Sequence, residues 1–106
     1  LGLIVSGLIF FSSFDIIRGV LADILGKSAD EDTTRRLKKL VEGMFSREVF
    51  LHHVHMHIYG DHKELTFHIR LPSDMPLREA HDIASRIEKK VRQEMNIEAT
   101  IHMEPL

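Results

Sequence analysis

The sequence of 106 residues contains no cysteine. Disulfide bridges, thiolate metal sites and cysteine nucleophiles are therefore excluded, and a soft metal ion could bind only to methionine or histidine. The sequence also lacks an excess of positive charge, because 14 Lys and Arg stand against 16 Asp and Glu and the formal net charge is -2. Proteins that bind a phosphate backbone normally carry a basic surface, so we expect no nucleic-acid partner.

The common catalytic motifs are missing as well. The glycines, at positions 2, 7, 19, 26, 43 and 60, form neither a Walker nor a dinucleotide-binding spacing. There is no H-E-x-x-H segment, and no serine lies in a nucleophile elbow. The length suits one small domain with a single core. We therefore predict a protein that is not an enzyme.

The N-terminal segment has the composition of a membrane helix. Residues 1–14, LGLIVSGLIFFSSF, carry no charge, and only Asp15, Arg18 and Asp23 interrupt the apolar character up to residue 25. As a helix, 14 residues rise about 21 Å, which is shorter than the roughly 30 Å hydrocarbon core of a bilayer. The segment lacks the basic region and cleavage site of a signal peptide. We predict that residues 1–25 are the end of a transmembrane helix and its membrane exit, with a buried or interfacial helix of a soluble protein as the alternative.

Residues 26–32, GKSADED, form a polar linker before a domain that we place at residues 33–106. An acidic residue at the end of this linker is suited to cap a helix. Apolar residues then recur at helical spacing and basic residues take the other face, which predicts an amphipathic helix that closes near Gly43. The apolar face consists of Leu37, Leu40, Val41 and Met44.

Residues 49–59 and 64–71 are rich in β-branched and aromatic residues and flank GDHK, which predicts a β-hairpin. In the second of these strands, alternate residues face the core and the others face away. The expected core residues are Leu65, Phe67, Ile69 and Leu71, and the outward residues are Thr66, His68 and Arg70.

A second helix is predicted to begin at Ser73 or Asp74, with Pro76 in its first turn. Its core stripe is expected at Leu77, Ala80, Ala84, Ile87, Val91 and Met95, with His81 on the flank of the stripe. The last segment alternates, with Ile97, Ala99, Ile101 and Met103 inward. The order helix, strand, strand, helix, strand predicts an α+β domain whose two helices cover one face of the sheet.

Eight histidines are the unusual feature of the composition, and six of them lie between residues 52 and 68. Imidazole is the commonest protein metal ligand. We expect His68, His102 and Glu104 to converge on the open sheet face, and this donor set suits zinc and also iron, manganese or cobalt. In the first strand, alternation offers two choices for a further ligand. The odd-numbered positions, which share one face of a regular strand, hold His53, His55 and His57. The even-numbered positions hold His52 with Phe50, Val54, Met56 and Ile58.

Strict alternation favours His53, because it should share the open face with His68. A surface or hydrogen-bonded histidine without metal is the alternative explanation for each of these residues.

Four segments, in this order and spacing, resemble a known family. LHHVHMHIYG, LTFHIRL, REAHDIA and the final IHMEP, preceded by the apolar helix, are similar to the cytoplasmic C-terminal domain of the cation diffusion facilitator family of metal efflux transporters. The resemblance covers essentially the whole chain. It implies a ferredoxin-like, metallochaperone-like α-β-β-α-β domain that dimerises beneath a proton-coupled transporter, with residues 26–106 on the cytoplasmic side of the cell membrane.

The resemblance also implies a set of ligands. They are His52, His68 and His102 on the three strands, Glu104 as the closing carboxylate, and His81 as a ligand of a second ion near Glu104. The resemblance thus favours His52 where alternation favours His53. Glu104 replaces the Asp of the family, and His53, His55 and His57 replace residues that are more often Asp or basic, which leaves room for additional or differently placed metal.

We therefore predict a regulatory domain that binds a divalent ion, Zn²⁺ first, with Mn²⁺, Fe²⁺, Co²⁺ and Cd²⁺ as alternatives. It would form a homodimer to control transport and would be tied to the membrane by its N-terminal helix. Two other functions stay open. One is a metal chaperone-like carrier, and the other is a structural dimerisation module without a physiological metal.

Overall fold

The computed structural model describes residues 1–46 and 49–106. The helices are α1 (Gly2–Leu25), α2 (Glu31–Glu42) and α3 (Leu77–Met95), and the strands are β1 (Lys27–Ser28), β2 (Phe50–Tyr59), β3 (His62–Leu71) and β4 (Glu98–Pro105). The strands form a sheet in the order β1-β2-β3-β4. The pairs β1–β2 and β2–β3 are antiparallel, whereas β4 is parallel to β3 through the α3 crossover. The predicted α+β arrangement is confirmed, with β1 as an additional short strand.

The helix α1 is one continuous element of 24 residues. At 1.5 Å per residue it rises about 36 Å, enough to cross the hydrocarbon core of a bilayer. All of its residues are at least partly exposed, including Phe10 and Phe11 at more than two thirds of their surface. In the part of the chain that the structure describes, it is the one helix long and apolar enough to span a membrane by length and composition.

The predicted linker at residues 26–32 is more structured than its composition indicates. Lys27 and Ser28 pair with Met56 and His55 at the edge of the sheet. The Asp30 carboxylate accepts a hydrogen bond from the Thr33 N–H at 3.2 Å, so α2 begins at Glu31 rather than at residue 33. This bond also lowers the pKa of Asp30. The predicted end of α2 at Gly43 is confirmed.

The core lies between one face of the sheet and the two helices α2 and α3. The most deeply buried side chains come from α2, β3 and α3, which confirms the inward positions predicted for β3. They are Leu37 and Val41 of α2, Leu65, Phe67 and Ile69 of β3, and Ile87 and Val91 of α3. The opposite sheet face, which we call the open face, carries His68 and Arg70 of β3.

Two predictions about α3 are wrong. The helix begins at Leu77, not at Ser73 or Asp74, because the Ser73 hydroxyl donates to the carbonyl of Leu106 at 2.6 Å instead of capping the helix. Residues 72–75 form a turn that the Met75 N–H closes on the Pro72 carbonyl at 3.0 Å. Leu77 is 79% exposed, and Ile83 takes a core position that the predicted stripe omitted.

The strand β2 contains a β-bulge, and the bulge decides which way its side chains point. His52 pairs with His68 and His55 pairs with Thr66, so two residues of β2 lie opposite the single residue Phe67. His53 has a positive φ of 51°, an uncommon conformation outside glycine. The side chains that pack on the core from β2 are Leu51, Val54, Met56 and Ile58, and those on the open face are Phe50, His52, His53, His55, His57 and Tyr59.

The bulge corrects the alternation predicted for β2. Phe50 was grouped with Val54, Met56 and Ile58, but it is 43% exposed and pairs with Arg70 on the open face. The alternation rule fails because the extra residue shifts the pattern by one position, so that side chains before and after the bulge no longer alternate in step. His52 and His53 therefore share the open face, although the rule made them alternatives.

A pair of substitutions in α3 tests the position of the core. Ile87→Ala removes a fully buried side chain, and we expect the free energy of unfolding to fall by about 2–5 kcal/mol. Leu77→Ala, on the exposed first turn, should change it by no more than about 0.5 kcal/mol. Chemical denaturation of both variants measures the difference. Equal losses would contradict the assignment of Leu77 to the surface.

Candidate metal centre

Three histidines converge on the open face. Each of His52, His53 and His68 offers one ring nitrogen, and these nitrogens lie within 4.8 Å of one another. The ring centroids of His52 and His68 are 5.4 Å apart, and those of His53 and His68 are 5.2 Å apart. The register of β2 against β3 places His52 opposite His68, and the bulge adds His53. We call these three residues the three-histidine group.

The carboxylate of Glu104 binds two members of this group, His68 and His52. Its Oε1 accepts a hydrogen bond from Nδ1 of His68 at 2.7 Å, and its Oε2 accepts from Nε2 of His52 at 3.2 Å. The Nε of Arg70, which is the register partner of Glu104, donates to Oε2 at 3.4 Å. The hydrogen bond from His68 is the main reason why the pKa of Glu104 is lowered from the usual 4.5, and Arg70 and His52 add to the effect. Glu104 is therefore ionised at neutral pH.

The bond between His68 and Glu104 prepares His68 to bind a metal ion. When Nδ1 carries the proton that is donated to Glu104, Nε2 keeps its lone pair, and this arrangement of carboxylate and histidine is common behind metal ligands. The two ring nitrogens of His52 face oxygen atoms, Glu104 Oε2 and the Phe50 carbonyl, the latter at 3.2 Å. A neutral imidazole has one N–H, so it donates to only one of them. Ligation by His52 would replace one of these contacts.

Two predicted ligands lie outside the three-histidine group. His102 is opposite His68 in the register, with 4.8 Å between ring centroids, but it is exposed at the rim. His81 lies on α3, which covers the other face of the sheet, and its Nε2 is 3.5 Å from the hydroxyl of Ser85. The role of His81 as a ligand of a second ion stays a prediction.

The remaining histidines of β2 lie further along the open face, toward α1. Nδ1 of His55 is 3.2 Å from the carbonyl of His53, and Nδ1 of His57 is 3.4 Å from the carbonyl of Ile24 in the last turn of α1. Alternation along β2 offers both as alternatives to His52, but they lie beside the three-histidine group rather than within it.

The donor set of the group fits a divalent ion. Imidazole nitrogens with a carboxylate behind them suit zinc and other first-row metals, and the exposed edge at His53 leaves an entry path. Sequence reasoning missed the coexistence of His52 and His53 in one group. The spacing of Leu51 and Val54 indicates the bulge. These two apolar residues both face the core but are three positions apart, which regular alternation does not allow.

Residues 29–106 match the family model for the cytoplasmic domain of cation efflux proteins. The chain belongs to the cation efflux family. The family resemblance inferred from the four sequence segments is thereby confirmed. So is the prediction that the chain is not an enzyme, because the family consists of transporter domains.

Metal tolerance protein 5 of Oryza sativa subsp. japonica is 30% identical to this cation efflux chain over 82 residues. The match covers 76% of the chain and 20% of that protein, so the chain spans about a fifth of the length of this relative. The structure of CzrB, a candidate zinc transporter, has 25% sequence identity and a TM-score of 0.65, and covers 74% of this chain and 99% of that one.

The metal-bound C-terminal domain of the CzcD transporter from Thermotoga maritima has a TM-score of 0.59 and covers 73% of this chain and 94% of that one. At 21% identity, this likeness shows the shared fold alone.

The lowered pKa of Glu104 gives a direct test of the network. We expect a carboxyl titration followed by NMR to have its midpoint for Glu104 below 4.5, and His68→Ala to raise it more than Arg70→Gln does. A depressed folded-state pKa stabilises the protein above the ordinary glutamate pKa, and this contribution is lost as the pH falls through the lowered value. An unchanged midpoint in His68→Ala would contradict the hydrogen bond.

Proposed function

We propose that this chain is the regulatory domain of a divalent-cation efflux transporter, together with the end of its last transmembrane helix. On this proposal α1 lies in the cell membrane and residues 26–106 lie on the cytoplasmic side. Family membership and the apolar, exposed surface of α1 support it. The similarity to CzrB, a candidate zinc transporter, supports the kind of ion.

The proposed metal site is the three-histidine group, with Glu104 behind His68 and His102 at the rim. The observation that carries the proposal is the convergence of three imidazole nitrogens from two strands, two of whose rings are also bonded to one carboxylate. Zn²⁺ is the preferred ion for such a set, and Mn²⁺, Fe²⁺, Co²⁺ and Cd²⁺ are the alternatives. Metal binding at this site would be coupled to dimerisation, which membership of the cation efflux cytoplasmic-domain family supports.

Metal binding would be thermodynamically coupled to the conformation of the dimer. An ion shifts an equilibrium between open and closed dimers only by the difference in its affinity for the two states. Protons would oppose it, because imidazole binds metal in the neutral form. Affinity is therefore expected to fall as the pH drops through the range in which histidine side chains ordinarily titrate.

One observation favours a second candidate function. Glu104 has three hydrogen-bond partners from this chain, so the open-face network is satisfied by protein atoms alone. A structural dimerisation module without a physiological metal would have the same network. A metal chaperone-like carrier is less favoured, because the chain has a helix suited to anchor it in a membrane.

A zinc titration distinguishes these functions. Calorimetry on the full chain in detergent micelles counts the bound ions, and energy transfer between labelled chains reports their association. The absence of cysteine allows one label through Asp74→Cys, on an exposed turn. We expect saturable binding that raises energy transfer. The double variant His52→Ala with His68→Ala should lose at least one bound ion and the rise in energy transfer.

His62→Ala is the matched control, because His62 is an exposed histidine at the opposite end of β3. It should bind zinc at the three-histidine group and associate as the unmodified chain does. A double variant that retained every bound ion would contradict the proposed site. Zinc binding without a change in energy transfer would contradict the regulatory role and favour the structural module.

A further inference from the structure

A single residue, Gly26, joins α1 to the sheet. α1 ends at Leu25, and β1, which pairs with β2, begins at the residue after Gly26. The Ala29 N–H also donates to the Val54 carbonyl at 3.1 Å, so β1 and the residue after it are held along the edge of the sheet. The direction in which α1 leaves the sheet is therefore set mainly by the backbone dihedral angles at Gly26.

The backbone of Gly26 does not fix this direction by itself. It has a φ of 90° and a ψ of 133°, a conformation that is open to glycine but strained for residues with a side chain. Glycine adopts negative φ values about as readily as positive ones. A change of φ at this position would swing the whole of α1 relative to the sheet. The observed direction therefore depends on contacts that select this conformation.

The side chain of His57 on β2 makes such contacts at two points of the junction. Its ring lies so close to Gly26 that a Cβ at this position would collide with it. Its Nδ1 is 3.4 Å from the carbonyl of Ile24, and because a carbonyl only accepts hydrogen bonds, this nitrogen carries the proton and donates it. The Ile24 carbonyl is one of the last four of α1, which have no partner within the helix. His57 thus fills the space beside Gly26 and holds the last turn of α1.

Tyr59 supports this arrangement from the same face of β2. Its hydroxyl donates to the Ile24 carbonyl at 3.5 Å, and its ring is nearly parallel to that of His57, with 6.3 Å between the centroids and 17° between the planes. An ion pair of Lys27 with Asp23 also crosses the junction, at 2.6 Å. Both of its side chains are more than a third exposed, and ion pairs of this kind contribute little to stability. The two rings are therefore the main side-chain contacts across the junction.

We propose that His57 is a positioning residue that fixes the direction of α1 relative to the sheet, with Gly26 as the hinge and Tyr59 as a support. The hinge lets the chain turn from helix to strand within one residue. The His57 ring prevents the rotation that glycine would otherwise allow, so α1 and the sheet move as one body. This proposal concerns the connection between two elements and needs no metal ion.

The connection has a consequence for regulation, and this consequence rests on the proposed function. A change in how two domains associate would turn α1 by the same angle as the sheet, because no flexible linker absorbs the motion. With a freely rotating glycine at the junction, most of that motion would not reach the membrane helix. His57 would thus transmit the movement of the domain to α1.

Distances between α1 and the domain test the proposal. The chain has no cysteine, so spin labels can be placed at Ser13→Cys in α1 and at Asp74→Cys or Lys89→Cys in the domain, all of them exposed positions. Two domain positions are used because one distance does not define a direction. Pulsed electron paramagnetic resonance on the full chain in detergent micelles, diluted with unlabelled chain, measures distances within one chain. We expect one narrow distribution for each pair.

His57→Ala should at least about double the width of these distributions or add a second population, because glycine at the hinge is then free to take negative φ values. His55→Ala is the matched control and should change neither distribution. His55 lies two residues away on the same face, and its Nδ1 donates within β2 to the His53 carbonyl at 3.2 Å. The distance between labels at positions 74 and 89 should stay the same in every variant, which would show that the domain remains folded.

Gly26→Ala tests the hinge. The methyl group would collide with the His57 ring, and the observed dihedral angles are strained for alanine, so we expect the mean distances from the α1 label to shift. Lys27→Gln, which removes the exposed ion pair, should leave them in place. Unchanged distances in Gly26→Ala would contradict the contact between Gly26 and His57.

The proposal is overturned if His57→Ala leaves both distributions unchanged, because the pairing of β1 would then be enough to hold α1. It is also overturned if His55→Ala broadens them as much as His57→Ala does, or if they are already broad in the unmodified chain. These experiments contain no zinc, so their failure would leave the proposed metal centre and its own test unaffected.

Discussion

The open face depends on a single extra residue in β2. A regular strand that placed Leu51 in the core would turn Val54 outward, and one that placed Val54 in the core would turn Leu51 outward. The bulge at His53 allows both to pack inward, and it turns His52 and His53 to the same side. The positive φ of His53 costs about 1–3 kcal/mol, as for non-glycine residues in this region generally. The burial of β2 against a well-packed core offsets that cost, and the convergence of imidazoles results from it.

Glu104 then determines how the imidazoles can be used. It ties β4 to His68, His52 and Arg70, so the face holds one carboxylate and several donors in a satisfied network. An ion that binds here must compete with these contacts for His52, whereas His68 can offer Nε2 without losing its partner. Arg70 can stay bonded to Glu104 in either state. The network is therefore stable without metal, which suits either the proposed reversible binding of an ion or a structural module without one, and does not suit a permanent structural ion.

Most of the fold, and part of the site, could be predicted from sequence. Alternation placed Leu65, Phe67 and Ile69 in the core, because β3 is regular and one of its faces is fully covered. It failed in β2, because a bulge changes the period by one residue and alternation assumes a period of two. It failed again at Ser73, whose hydroxyl binds a carbonyl at the far end of the chain. Such a contact depends on tertiary structure and leaves no local pattern.

The histidines along β2 differ in their access to α1. Five residues separate His52 from His57, which is about 16 Å of strand and too far for one ion to bridge. On the proposed function, a cation at His52 would act on α1 only through the sheet, because no contact joins His52 to that helix among the described hydrogen bonds. The ring of His57 instead contacts the Ile24 carbonyl in the last turn of α1. The proposed metal centre is therefore suited to report on the association of domains through the exposed face, whereas His57 connects the sheet to α1.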